Sequence, residues 1–91
     1  MLITSFVWDN KNRWHIARHG VEPYEAEGAI LLDKPLYLRG REDKYICYAT
    51  TNDGRYLFIV FIVRGPGRIR IISARNMINK EKKFYNKKRK V

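Results

Sequence analysis

The segment "YLFIVFIVRGPGRIRIISAR", Tyr56 to Arg75, decides how this chain folds. Its first part, "YLFIVFIV", carries apolar side chains at consecutive positions, which fits a strand covered on both faces and therefore central in a sheet. "RGPGR" then supplies a hairpin turn, and "IRIIS" is the last strand. The length of the turn matters. If "GPG" forms a three-residue loop, Arg64 pairs across from Arg68, and Arg64, Arg68 and Arg70 emerge on one sheet face; a two-residue loop separates Arg64 from Arg70. The strand finishes in Ser73, Ala74 and Arg75 where a helix begins. An arginine at such a junction serves the fold, by capping or ion pairing, or serves chemistry, by facing an anion.

On the N-terminal side of the segment, "NDGR" places Asp53-Gly54 in a first hairpin turn, because both residue types tolerate positive φ. "KYICYATTN" precedes it as a strand, and "PLYLRGRE" alternates like an outer strand that starts at Pro35. Further back, Pro23 suits the first turn of a helix "PYEAEGAILLD". "NKNRWHIAR" reads as another helix, capped by Asp9 or Asn10 and ended at Gly20. Lys11, His15 and His19 recur every four residues and share a face of it; Trp14 and Ala17 lie on another, which is expected to pack. "LITSFVWD" is a short first strand. After Asn76 the periodicity turns helical, with Met77, Ile78, Phe84 and Tyr85 in a stripe that also holds Glu81. The outline is α+β: a strand, two helices, an antiparallel sheet of about four to five strands, and a basic C-terminal helix.

Ninety-one residues suffice for one small domain. Hydrophobic residues make up 45% of the chain, enough for a core. Nineteen Lys and Arg against nine Asp and Glu give a net charge of +10, which favours nucleic acid, an anionic surface or an acidic protein as partner. Cys47 is the sole cysteine, so no internal disulfide forms, and a reducing cytoplasm is the expected compartment. The N-terminus lacks the basic start of a signal peptide, and the longest apolar run falls well below the roughly 20 residues that span a bilayer. No membrane association is expected.

Few side chains are equipped for chemistry. His15 and His19 alone have ordinary pKa values near neutrality. Their spacing suits a shared metal, but "HIARH" lacks the glutamate of the helical zinc motif and no third ligand is evident, so neither metal nor other cofactor is expected. "GPGR" is not a phosphate loop, since no Gly-Lys-Ser/Thr ending and no helix follow it. Glu81 sits on a packing stripe and calls for a cation, for which Arg75 at the helix entrance is placed. The segment "NKEKKFYNKKRK" interleaves Phe84 and Tyr85 with lysines, a composition that suits RNA phosphates and bases as well as a solvated helix face.

Three of these motifs, in this order, resemble the BrnT-like toxins. "FVWDNKNRWHIARHGV" resembles the family's N-terminal signature, "TNDGRYLFIVFIVRG" its centre, and Arg70 to Arg75 with Glu81 and Tyr85 its C-terminal signature. Arg18 stands where the family usually has lysine before His-Gly. The match covers nearly the whole chain, so residues 1–91 read as one BrnT-like domain, with about 86–91 a flexible basic tail. The resemblance implies a RelE-like fold and the toxin of a type II toxin–antitoxin pair, a metal-independent ribonuclease that halts translation. It implies a BrnA-like antitoxin as partner and contact with operator DNA only through that complex. On this reading His19 transfers a proton, Arg64 and Arg75 hold the scissile phosphate, Tyr85 and Lys11 position it, and Glu81 chiefly orients Arg75, with a general-base role as the lesser alternative. Arg68, Arg70, Lys83, Lys87 and Lys88 are the expected RNA contacts. The charge alone also fits a non-catalytic RNA- or DNA-binding module, or a structural subunit made for an acidic partner.

Overall fold

In the computed structural model, which describes residues 2–32 and 35–89, the elements follow in the order β1 (Ser5–Val7), α1 (Asn10–Ala17), α2 (Pro23–Leu31), β2 (Leu36–Arg39), β3 (Lys44–Thr50), β4 (Tyr56–Gly65), β5 (Arg68–Asn76) and α3 (Asn79–Arg89). The sheet order is β1-β5-β4-β3-β2. This is the expected α+β arrangement. The added detail is at one edge, where β1 pairs parallel to β5 while the other pairings are antiparallel.

β4 occupies the middle of the sheet because both of its faces are apolar. Leu57, Ile59 and Phe61 face the main core with Cys47 and Ala49 of β3 and Ile69, Ile71 and Ala74 of β5, under Ile16 of α1 and Ala26, Ala29 and Ile30 of α2. On the opposite face, α3 lays Phe84 and Tyr85 over the aromatic pair Tyr48 and Phe58, whose ring centroids are 5.3 Å apart. α3 covers only one end of that face. Val60, Ile62, Ser73 and Arg70 on the remainder are half-buried rather than enclosed.

Two β-bulges set which side chains share the open face. Phe61 pairs with Ile71 but Val60 pairs with Ser73, so Ile72 is an extra residue on β5. In a regular strand, residues an odd number apart point to opposite faces. The bulge cancels that rule: Arg70 pairs with Ile62 and Arg75 with Phe58, both on the same side of β4. Arg70, Ser73 and Arg75 therefore form one row.

The second bulge is at Arg64. Val63 pairs with Ile69 and Gly65 with Arg68, which leaves Arg64 unpaired and makes the turn two residues, Pro66 and Gly67. Arg64 does not sit across from Arg68, and the three-residue loop is ruled out. Gly67 takes φ +69°, and a Cβ there would lie 2.7 Å from Thr4 Oγ1. Its carbonyl accepts hydrogen bonds from Thr4 N at 2.7 Å and Ser5 N at 3.1 Å, so this turn also anchors the start of β1.

Three local expectations need correction. Trp14 does not pack: it is 65% exposed, under the Arg18 guanidinium, and Ala17 is exposed too. α1 lies on the edge of the sheet and buries only Asn12 and Ile16, so a polar residue holds half of its inner face. In the first hairpin only Gly54 has positive φ, at +83°. The last helix starts at Asn79 because β5 continues to Asn76, and it is helical through Arg89, so Asn86 to Arg89 belong to α3; Lys90 and Val91 lie outside the described residues.

Candidate functional site

α1 is fastened along β5 at both ends. At its start, the Asp9 carboxylate accepts from the backbone N–H of Lys11 at 2.9 Å and of Asn12 at 3.2 Å, while Asn12 Oδ1 accepts from Asp9 N at 2.8 Å. This is a reciprocal cap made with asparagine. Asn12 Nδ2 donates to Val7 O at 2.8 Å and Ile71 O at 3.0 Å, closing the seam where β1 leaves β5. The same Asp9 accepts both Nη groups of Arg70, Nη2 at 3.3 Å. At the far end, Arg55 donates to Gly20 O at 2.8 Å, His19 O at 3.3 Å, Glu25 Oε1 at 3.0 Å and Asn76 Oδ1 at 2.8 Å.

The helix thus runs beside β5 from Arg70 to Asn76. Lys11 and His15 lie on α1, whereas His19 lies in the turn past the helix end, its carbonyl held by Arg55. The two imidazole rings are 5.9 Å apart between centroids. Lys11, Asn12, His15, Arg70 and Ile72 line a depression of about 180 Å³, so the extra bulge residue forms part of its wall.

At the other end of the strand's row, Arg75 Nη1 and Nη2 each donate to one oxygen of Glu81 at 2.9 Å, and Nη1 also donates to Asn76 O at 3.0 Å. Its guanidinium carbon lies 4.2 Å from the centroid of the Phe58 ring. Glu81 Oε1 additionally accepts from Ile78 N at 2.9 Å, which ties this fork to the entrance of α3. The hydrogen bonds from Arg75 hold the Glu81 carboxyl below the usual carboxylate range, and Glu81 in turn raises Arg75. Both arginines of the row are therefore fixed in plane by a two-bonded carboxylate, as the guanidinium fork favours.

The Asp9 fork carries a pH signature. Hydrogen bonding to Arg70, with the Asn12 backbone next, lowers the Asp9 carboxyl from 3.8 to about 2. A depressed carboxylate contributes stability that is complete above about pH 4 and is lost as pH falls through about 2. Arg70→Gln is expected to return the Asp9 titration toward its ordinary range and to shift acid unfolding to higher pH. A ¹³C titration of the Asp9 carboxyl measures the first effect and a circular dichroism pH scan the second.

Residues 8–81 match the model of a family described as "Ribonuclease toxin, BrnT, of type II toxin-antitoxin system". The chain belongs to the BrnT family. No curated protein matches it.

Set on this BrnT-family chain, the site residues read from sequence divide into three groups. Lys11 lies beside Arg70 at one end of β5, Arg75 is forked to Glu81 at the other, and His19 stands in the turn after α1. Arg64 and Arg68 are exposed at the hairpin end, and Lys83, Lys87 and Lys88 are exposed on α3. Tyr85 lies elsewhere: it is fully buried, its hydroxyl is 2.9 Å from Thr50 Oγ1, and its ring packs on Tyr48 and Tyr56. A tyrosine so enclosed holds α3 to the sheet. Tyr85→Phe is expected to cost about 1 kcal/mol of stability through the lost hydrogen bond. RNA cleavage should be unchanged, and urea unfolding beside a cleavage assay checks both halves.

Sequence reasoning did not single out Asn12, Arg55, Tyr48 or Phe58. Asn12 was hidden because a buried asparagine looks like any other polar residue on a basic helix, although its place three residues after Asp9 is a capping-box spacing. Arg55 had no local signal, since all the hydrogen-bond partners of its guanidinium are distant in sequence. Among the described residues no three His, Cys, Asp or Glu side chains come together as a metal site, and no helix is long and apolar enough to cross a membrane.

Proposed function

We propose that this chain is the toxin of its pair, a metal-independent endoribonuclease that cuts RNA, halts translation in the cytoplasm and is neutralised by a BrnA-like antitoxin, which alone brings the complex to operator DNA. The observation that carries the reading is the bulged strand: one face of β5 presents Arg70, Ser73 and Arg75, with Lys11 and His15 of α1 beside Arg70 and the His19 ring 5.9 Å from that of His15.

Cleavage without metal requires that a base take the 2′-hydroxyl proton, that the 2′-oxygen attack phosphorus, and that the leaving 5′-oxygen receive a proton. The products are a 2′,3′-cyclic phosphate and a 5′-hydroxyl. Negative charge accumulates on the phosphate oxygens between these steps. Arg75 and Arg70, each held in plane by a carboxylate, supply fixed donors to that charge, and fixed donors need no reorganisation at the moment of reaction. His19 is the proton-transfer group, with His15 beside it, and Lys11 adds positive charge at the Arg70 end. Glu81 orients Arg75. Arg64, Arg68 and the α3 lysines Lys83, Lys87 and Lys88 contact flanking phosphates. Tyr85 is assigned to packing.

The test is cleavage of a defined, end-labelled RNA in excess chelator. Wild-type protein is expected to cut at an undiminished rate and to leave cyclic phosphate ends, and His19→Ala to cut about 10²–10⁴-fold more slowly. Loss of cutting in chelator, or full activity in His19→Ala, would sink the mechanism. Intact RNA bound with steep salt dependence would identify a binding module instead.

A further inference from the structure

A second cavity adjoins the Arg75–Glu81 fork. Tyr48 of β3 and Ile78, Lys80, Glu81 and Phe84 at the start of α3 line a hollow of about 410 Å³ on the open face. Its floor is aromatic: the Tyr48 and Phe84 rings are 5.3 Å apart and tilted by 56°, and Tyr48 meets Phe58 edge-on. Phe58 is the ring beneath the Arg75 guanidinium, so aromatic surface continues from the hollow to that cation. Ile78 stands at the rim, 58% exposed. Burial, followed by the Glu81 charge, raises the Tyr48 hydroxyl pKa, so the phenol stays protonated and available as a donor.

Planar rings joined to a fixed cation and a lysine suit one ligand: an unpaired nucleobase whose own phosphate is a neighbour of the cation. An acidic peptide suits it less well, because Glu81 forms part of the wall. We propose that this hollow binds one unpaired nucleobase of the RNA, next to the phosphate held by Arg75, and so selects where the chain cuts. The inference rests on the ribonuclease reading given above. It assigns substrate selection to Tyr48 and Phe84, neither of which takes part in proton transfer. Glu81 keeps its hydrogen bonds to Arg75 and Ile78 and offers its remaining lone pair on Oε2 to a base N–H.

The experiment steps a single abasic nucleotide through the positions flanking the cut in a defined RNA and measures kcat/KM for wild type, Phe84→Ala and Phe84→Leu. Phe84→Leu keeps apolar volume in the helix while removing the stacking ring. With wild type, one flanking position should lose about 10- to 100-fold on becoming abasic, the worth of one stacked base. Both Phe84 variants should cut the intact RNA more slowly and be insensitive to the abasic change at that same position. If wild type cuts every abasic RNA as fast as the intact one, the hollow does not bind a base, and the ribonuclease reading survives. The hollow is equally excluded if the variants keep the wild-type abasic penalty. Failure of wild type to cut even the intact RNA overturns the ribonuclease reading, and this inference with it.

Discussion

Arg75→Ala is expected to lower single-turnover RNA cleavage by about 10²–10³-fold, the loss typical of removing one preorganised donor from a developing oxyanion. The expectation follows from how many contacts fix the group. Glu81 binds both Nη atoms, the Asn76 carbonyl takes a third bond, and the Phe58 ring lies beneath the plane. A side chain so constrained has given up its rotamer freedom before substrate arrives, and an anion meets it without further ordering cost. Arg75→Lys keeps the charge but cannot fill the fork, so it should recover only part of the rate. Glu81→Gln should fall between lysine and wild type, because it weakens the orientation of Arg75 without removing it. The alanine variant also leaves Glu81 without its cation, so its stability must be measured alongside. If Arg75→Ala stays folded and keeps the wild-type rate, the bulged row is not where the phosphate is held.

Asn12→Ala is expected to destabilise the protein by about 3 kcal/mol, through two buried or part-buried carbonyls left without a donor and a broken helix cap. Against a typical total of about 5–15 kcal/mol, that is a large share for a residue with no assigned part in the chemistry. Asn12→Asp separates the two roles. It retains an acceptor for the Asp9 N–H but replaces the amide donor with charge facing Val7 O and Ile71 O, so it should be at least as unstable as alanine. Urea denaturation measures both variants. Equal stability of wild type and Asn12→Ala would mean that α1 does not depend on the seam it closes.

The order of elements was legible in the sequence because each carried a local signal: Asp9 and Pro23 at helix starts, Gly20 at a helix end, Asp53-Gly54 and Pro66-Gly67 at turns, and an apolar run for the central strand. The Arg75–Glu81 pair was legible too, since a carboxylate on a packing stripe needs a cation. What was not legible is the set of faces. A β-bulge has no fixed sequence mark, and without it Arg70 and Arg75 are assigned to opposite sides of β5. The same gap applies to Arg64, whose apparent partner across the hairpin vanishes once the second bulge is counted. Trp14 shows the limit of helical stripes, since α1 at a sheet edge buries too narrow a face to include its tryptophan, whereas Tyr85 is buried as its place on the α3 stripe suggested. Arg70 was read as a flanking contact, yet its Asp9 fork makes it the counterpart of Arg75.

Amide chemical-shift mapping with a single-stranded RNA made non-cleavable by 2′-deoxy substitution tests most directly that the open face of β5 is the nucleic-acid surface. The account predicts perturbations from Arg68 to Asn76, at Phe58 to Ile62 opposite them, and along Lys11 to His19, with α2 unaffected. Perturbations confined to α2 and the Thr51 to Asp53 turn would contradict it.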